Sequence, residues 1–348
     1  MRASEPRAPA APLASTAPRR WPRSFHSRRT HDLPSLADLV RVQLQGGYTL
    51  RDLSDADRIP IAARSGPLPV PPPHQAAITW AGHSSVIIQL GERTILCDPV
   101  WTHKIFGVRP RLTPPGIAWH HLPPIDAVLL SHDHSDHTDP ETLRRLPPGT
   151  PILAPAGMGT WLRRRGLAAA AELDWWQHLQ LGGLQITCVP AHHWSGRTPW
   201  GLWRSLWCGW VITDPATGTR IYFAGDTAYG PCFTEIGQRF PGIDVALMPT
   251  GSYAPRWFQR SGHVDPAEAV QAVLDVGARA LVPIHWGTFV LGSEPLLAPL
   301  TETRAAWARS GQAPEDLWTL AIGQTRYLTA ALDAPPAGCA ARSPGSTS

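Results

Sequence analysis

Six consecutive residues, His132-Asp133-His134-Ser135-Asp136-His137, concentrate three imidazoles and two carboxylates. Imidazole and carboxylate are ligands for zinc and similar divalent ions. In an extended segment, side chains two apart share a side, so His132 and His134 point together. Asp136 and His137 follow where the chain turns toward a helix. One short run can therefore serve two adjacent ions. The chemistry this implies is metal-dependent hydrolysis.

The run is preceded by the apolar stretch Ala127–Leu130, a strand ending where the ligands begin. Three further stretches end in the same way. Leu184–Val189 precedes His192-His193, Ile221–Ala224 leads into Gly225-Asp226-Thr227, and Leu281–Ile284 precedes His285. Side chains at strand ends on one edge of a sheet converge, as they do in other α/β sites. Ile78–Leu90 reads as one strand, Gly91-Glu92 as a turn and Thr94–Cys97 as its return. Trp207–Thr213 and Val245–Met248 are further strand candidates. Asp139-Pro140 and Asp265-Pro266 each pair an N-cap with a first-turn proline, ahead of Glu141–Leu146 and Ala267–Val276. Gly277 stops the second of these helices. Strands interleaved with helices predict an α/β layered fold.

The basic surplus is local. The net charge is +4, yet Arg2, Arg7, Arg19, Arg20, Arg23, Arg28 and Arg29 face only Glu5 within the first thirty residues. The remainder is close to neutral, which argues against nucleic acid as a partner. Four segments are expected: a disordered Pro/Ala/Arg-rich tail over 1–33, a helix and Pro-rich linker over 34–77, a catalytic domain over 78–332 and a loose tail over 333–348. Ser35 caps the expected short helix, which carries Leu36, Leu39, Val40 and Leu44 on one side. The five cysteines show no CxxC spacing and suit a reducing compartment. No run of eighteen apolar residues and no apolar signal region occurs, so a cytoplasmic location is expected, with peripheral contact at the inner membrane face.

The pattern HxHxDH with separate later His, Asp and His resembles the metallo-β-lactamase fold hydrolases, whose fold is an αββα sandwich. Over about residues 78–328 the resemblance narrows. Thr79-Trp80-Ala81-Gly82-His83-Ser84-Ser85, Glu172-Leu173-Asp174-Trp175-Trp176, Phe223-Ala224-Gly225-Asp226-Thr227, Tyr253-Ala254-Pro255-Arg256-Trp257-Phe258, His263-Val264-Asp265-Pro266 and Ile284-His285-Trp286-Gly287-Thr288-Phe289 are similar to the N-acyl-phosphatidylethanolamine-hydrolysing phospholipase D family. That resemblance implies two Zn(2+), with Fe or Mn able to occupy the same ligands. His132, His134 and His193 would hold one ion and Asp136, His137 and His285 the other, with Asp226 bridging them and a hydroxide between the metals attacking phosphorus. His263 would act as general acid or bind substrate, Arg197 would clamp phosphate, and Asp98 and His83 would orient ligands. Arg256 has both a phosphate-binding and a structural reading, the structural one favoured. His192 reads as a supporting or surface residue. Ser135 and Gly262 stand where the family often has Tyr and Gln, which leaves the head-group preference open.

The implied activity is hydrolysis of N-acyl-phosphatidylethanolamine-like lipids. The alternative is a lactonase acting on a phosphorylated sugar lactone. The segment Pro199–Trp207 is unusually rich in tryptophan. Trp200, Leu202 and Trp203 lie just beyond His193, where a substrate mouth belongs, and Trp favours lipid headgroups. They suit either a lipid-facing lip or packing on the domain or on a second copy. Expected partners are thus a phospholipid or other small phosphodiester, a membrane surface and a homodimer mate.

Overall fold

The computed structural model describes residues 21–329 apart from Tyr48, Ala63, Ser65, Pro73, Phe106, Ala168 and Ala170. The expected loose segments at 1–20 and 333–348 lie outside the described residues. Residues 21–33 lie inside them and are not a free tail. Phe25 is buried in a cluster with Ala156, Ala191, Leu206 and Trp207, and Trp21 packs against it. Arg28 pairs with Asp174 at 3.1 Å and lies over the Trp175 ring. The arginine and proline content masks two aromatic anchors, whose burial offsets the entropy of ordering the segment.

Helix α1 (Leu36–Leu44) starts at the expected Ser35, whose hydroxyl accepts from the Asp38 amide while Asp38 accepts from the Ser35 amide. Six strands follow: β1 (Gln75–Gly82), β2 (Ser85–Leu90), β3 (Arg93–Cys97), β4 (Ala127–Leu129), β5 (Ile152–Pro155) and β6 (Ala171–Leu173). The next six are β7 (His178–Leu181), β8 (Leu184–Val189), β9 (Gly209–Thr213), β10 (Arg220–Phe223), β11 (Val245–Pro249) and β12 (Ala280–Ile284). The last strand, β13 (Thr325–Thr329), returns to pair with β1. One sheet has the order β13-β1-β2-β3-β4-β5-β6 and the other β12-β11-β10-β9-β8-β7.

The expected single strand over Ile78–Leu90 is two strands. The ladder shifts between Trp80 and Gly82, and His83 turns the chain with φ +53°. Periodicity could not show this, because both strands are buried along almost their whole length. The sheets pack face to face through Ile78, Trp80 and Ile88 on one side and Ile186, Trp210 and Phe223 on the other. Each fully buried aliphatic contributes roughly 1.5–3 kcal/mol.

Outside the first sheet lie α2 (Pro140–Leu143) and α3 (Gly159–Arg163), through Leu143 and Leu162. Outside the second lie α4 (Cys232–Arg239), α6 (Pro266–Asp275) and α7 (Ala298–Ser310), through Phe233, Val270, Val273 and Trp307. A short α5 (Arg256–Gln259) precedes α6. The layering is αββα, as expected. Asp139 caps α2, and Asp265 caps α6 through a reciprocal pair with Glu268.

Strands β3, β4, β5 and β6 are mutually parallel, as are β10, β11 and β12. Strand β8 runs with β10, because each is antiparallel to β9. The C-terminal ends of β3, β4, β8, β10 and β12 therefore meet along one edge, and the β1–β2 turn at His83 joins them. Among the described residues, no helix is long and apolar enough to cross a membrane.

Candidate metal centre

Every histidine and aspartate expected to bind metal arrives at that edge. Just past β4, His132 Nε2 and His134 Nδ1 lie 2.9 Å apart, and His193 Nε2, beyond β8, lies 3.2 Å from the same His134 nitrogen. Beside them, Asp136 Oδ2 lies 3.4 Å from both His137 Nε2 and His285 Nε2 and 3.0 Å from His83 Nε2. Asp226 Oδ2 sits between the groups, 3.1 Å from His137, 3.2 Å from His285, 3.8 Å from His193 and 3.9 Å from His132. Ligand atoms of His132, His134 and His193, and those of His83, Asp136, His137 and His285, converge closely enough to hold a cation, as do two overlapping groups, Asp98, His132 and His137, and His193, Asp226 and His263.

The donor set fits a divalent cation. His137 Nε2, His285 Nε2 and Asp226 Oδ1 are buried without a hydrogen-bond partner. Lone pairs aimed at one another across a desolvated space are costly unless a cation satisfies them. His132, His137, His193, Asp226 and His285 are almost entirely shielded, whereas the side chains of Asp136 and His263 are each 13% exposed. Solvent therefore reaches the cluster from the Asp136 and His263 side.

A second layer fixes the rings. Asp98, at the end of β3, places Oδ2 2.7 Å from His137 Nδ1 and accepts from the Ser131 hydroxyl at 2.5 Å, while its Oδ1 accepts from the Ser131 amide at 2.7 Å. His193 Nδ1 lies 2.8 Å from the Gly262 carbonyl, and His132 Nδ1 lies 2.9 Å from Ser131 Oγ. Such partners leave the opposite nitrogen free to face a metal. The Thr138 hydroxyl donates to the His132 carbonyl at 2.6 Å. His83, Asp98 and His285 all hold φ between +39° and +63°. Each such residue costs on the order of 1–3 kcal/mol, and the strain gathers at this edge. Gly225 lets β10 approach the ligand run: a Cβ there would sit 2.6 Å from Ser131 Cβ.

The ionisation of the cluster follows from its geometry. Burial opposes charge on His137 and His285, but Asp226 and Asp136 override it, raising His137 well above its usual range and pushing His285 up to about 9. Burial works against Asp136 and Asp226 as well, yet His137 and its neighbours hold both carboxyls far below the usual range. Burial pulls His83 down to about 3, His193 to about 4 and His263 to about 3.

Known proteins resemble this chain in sequence and fold. Residues 93–286 match the family model described as Beta-lactamase superfamily domain. The chain belongs to the beta-lactamase superfamily. It is a metal-dependent hydrolase with the metallo-β-lactamase fold. An uncharacterized protein of Mycobacterium tuberculosis is 38% identical over 263 residues, spanning 70% of this chain and 68% of its own. N-acyl-phosphatidylethanolamine-hydrolyzing phospholipase D 1 of Caenorhabditis elegans is 34% identical over 232 residues, 62% of this chain and 65% of the worm protein. The mitochondrial enzyme of that name from Saccharomyces cerevisiae is 36% identical over 234 residues, 64% of this chain and 49% of the yeast protein. Isothiocyanate hydrolase from Delia radicum gut bacteria superposes with a TM-score of 0.60 over 73% of this chain and 99% of its own at 22% identity, a likeness of fold alone.

Within this hydrolase three expected roles change. Arg197 does not face the mouth. It donates from Nε to the Asp133 carbonyl and from one terminal nitrogen to the His134 and Thr138 carbonyls, with its guanidinium over Trp161. A fork committed to three carbonyls is a brace for the ligand run, not a phosphate clamp. Trp203 is not a free lip. Its ring lies 5.3 Å from Trp207 and 5.8 Å from His26, and its carbonyl accepts from the Phe25 amide at 2.7 Å. The segment over 21–28 covers it, and only Trp200 of the pair stays exposed, at 80%. His263, 13% exposed at the open side of the cluster, is held as neutral imidazole by its burial, which does not suit a general acid. A cation beside it would only depress it further.

Arg256 takes its structural reading, donating to the His263 carbonyl at 2.7 Å and pairing with Glu268. His192 faces away from the cluster and meets His31 edge-on. Two residues to which the sequence assigned no separate role complete the site. Asp133 accepts from the Gly196 amide at 2.7 Å and ties the ligand run to the following loop. Alternation alone carried that signal, since Asp133 must point opposite to His132 and His134. The Trp194 ring lies 4.1 Å from that of His134 and forms one wall of the site.

Proposed function

We propose that the protein is a two-zinc phosphodiesterase of phospholipase D type, cleaving N-acyl-phosphatidylethanolamine-like lipids at the bond between phosphorus and the head-group oxygen. The observation that carries the reading is the place of Asp226 Oδ2, within 3.9 Å of imidazole nitrogens from both ligand groups. The worm and yeast relatives, whose names specify this lipid chemistry, support the substrate class. When bound, a metal pair activates water and neutralises phosphoryl charge.

The chain supplies the rest. His132, His134 and His193 would hold one ion and Asp136, His137 and His285 the other, with Asp226 between the two groups. Asp98 and His83 keep His137 and Asp136 in orientation. His263, neutral and partly open to solvent on the substrate side, donates a ring N–H to a phosphoryl or leaving oxygen. Ser135 and Gly262 stand where the resembled family often has Tyr and Gln, and Gly262 lies against His193, where a Cβ would come within 3.3 Å of Nδ1. Trp200 contributes an exposed apolar surface near the same loop.

The test is hydrolysis by the zinc-loaded protein of N-acyl-phosphatidylethanolamine, a generic phosphodiester and a panel of lactones, with Asp136→Asn as control. Release of N-acylethanolamine and phosphatidic acid, lost in the control, is expected. Turnover of lactones without turnover of the lipid overturns the substrate class. Undiminished activity in Asp136→Asn overturns the ligand assignment.

A further inference from the structure

Helix α1 is capped as its sequence predicts, but it is docked the other way round from an ordinary amphipathic helix. Its inner contact is Val42, the one fully buried residue of the helix. Leu36, Val40 and Leu44, spaced four apart on one row, are 82%, 59% and 84% exposed, and Leu39 beside them is 41% exposed. Four of the nine large apolar side chains exposed among the described residues thus lie on this single short helix. An apolar ridge of that kind on a folded domain marks an interaction surface.

The helix packs beside α5. The Arg41 guanidinium lies 4.5 Å from the Trp257 ring in α5, and the Leu50 amide donates to the Gly292 carbonyl at 2.9 Å. At the C-terminal end of α5, the Gln259 carbonyl accepts from the His263 amide at 3.0 Å. What the ridge rests on is therefore one short helix away from the open side of the cluster.

We propose that α1 seats Leu36, Val40 and Leu44 in the surface of an anionic lipid bilayer and so sets the mouth of the metal site against the membrane. This rests on the lipid reading above for its purpose, though not for its geometry. Two observations select a bilayer as the occupant. Ahead of α1, Arg28 and Arg29 pair with Asp174 and Asp32, while Arg2, Arg7, Arg19, Arg20 and Arg23 against Glu5 leave a basic surplus in the sequence that complements anionic headgroups. An apolar ridge with basic flanking sequence is the pattern of a helix lying in the membrane interface. A second copy is a poorer match, because a ridge of four side chains is small beside the roughly 1,200–2,000 Å² of a stable protein interface. The chain outside the described residues offers little cover of its own: residues 1–20 contain Met1 and Leu13, and 330–348 contain Leu332, as their only large aliphatic residues.

The experiment compares the full chain with the triple variant Leu36→Gln, Val40→Gln and Leu44→Gln, which keeps helix-forming residues at exposed positions. Co-sedimentation uses vesicles of phosphatidylcholine alone and of phosphatidylcholine with equimolar phosphatidylglycerol. The unaltered chain is expected to bind the anionic vesicles, more weakly at high salt, and the variant to lose about tenfold in partitioning. The variant is expected to hydrolyse a short-chain, soluble phosphodiester at the unaltered rate. Equal partitioning of both proteins overturns the proposal, as does failure of the unaltered chain to bind. A dimer seen by light scattering and abolished in the variant, without vesicle binding, also overturns it and assigns the ridge to a second copy. Hydrolysis of N-acylated phospholipid in detergent micelles is scored separately. Micellar turnover without vesicle binding defeats the docking surface alone. Ridge-dependent vesicle binding without turnover defeats the substrate reading alone.

Discussion

The carboxylate of Asp98 is sealed from solvent behind His137, yet its removal should be felt at the metal centre. Asp98 is fully buried, and its three contacts are the Ser131 amide at 2.7 Å, the Ser131 hydroxyl at 2.5 Å and His137 Nδ1 at 2.7 Å. Burial raises its carboxyl, and His137 and Ser131 hold it back. Asp98→Asn keeps the volume, so no cavity is created. It does place an amide N–H₂ where an oxygen accepted from His137 and Ser131, setting donor against donor. Leaving a buried donor unsatisfied costs about 1–3 kcal/mol, so two such contacts imply a loss of roughly 2–6 kcal/mol in stability. His137 then turns or changes tautomer, and its Nε2 loses its aim at Asp136 and Asp226. Losing a partner of this kind typically weakens metal binding by about 10–100-fold. Chelator competition measures the second effect, and denaturant unfolding of the metal-free protein measures the first. Wild-type metal affinity together with wild-type stability in Asp98→Asn would refute the reasoning.

Arg197→Lys keeps a cation but loses the planar fork that reaches the carbonyls of Asp133, His134 and Thr138. Metal affinity is expected to fall about tenfold with KM for the phosphodiester little changed; a raised KM with intact metal affinity would restore the phosphate-clamp role. The metal-free protein should be most stable near pH 6.5, the ordinary imidazole value. His285, pushed up to about 9, contributes stability that is complete below 6.5 and lost as pH rises toward 9. His83, His193 and His263, held at about 3, about 4 and about 3, stay neutral while the unfolded chain takes up protons, so stability also falls below 6.5. A melting temperature in chelator that climbs steadily to pH 9 would contradict this balance.

The sequence by itself displayed the run His132–His137, because metal chemistry demands particular side chains and the run supplies them at fixed spacing. It also determined the ends of α1, α2 and α6, since Ser35, Asp139 and Asp265 cap their helices through bonds to amides two or three residues away. Local rules suffice where the partners are local. Strands β5, β6 and β13 were not legible, because they are short and are defined by pairing with distant chain: β13 completes its sheet by returning to β1. Helix α7 was missed for a related reason, as its buried Leu300, Thr303, Ala306 and Trp307 mix polar and apolar residues on one face. Only the tertiary structure decided where long side chains go. Arg197 and Trp203 were equally suited, by type, to a substrate mouth. One was claimed by backbone carbonyls from the ligand run, the other by a segment near the start of the chain that ends up beside it in space. The same holds for α1, whose apolar row the sequence displays but whose outward orientation depends on the burial of Val42 and the stacking of Arg41 on Trp257.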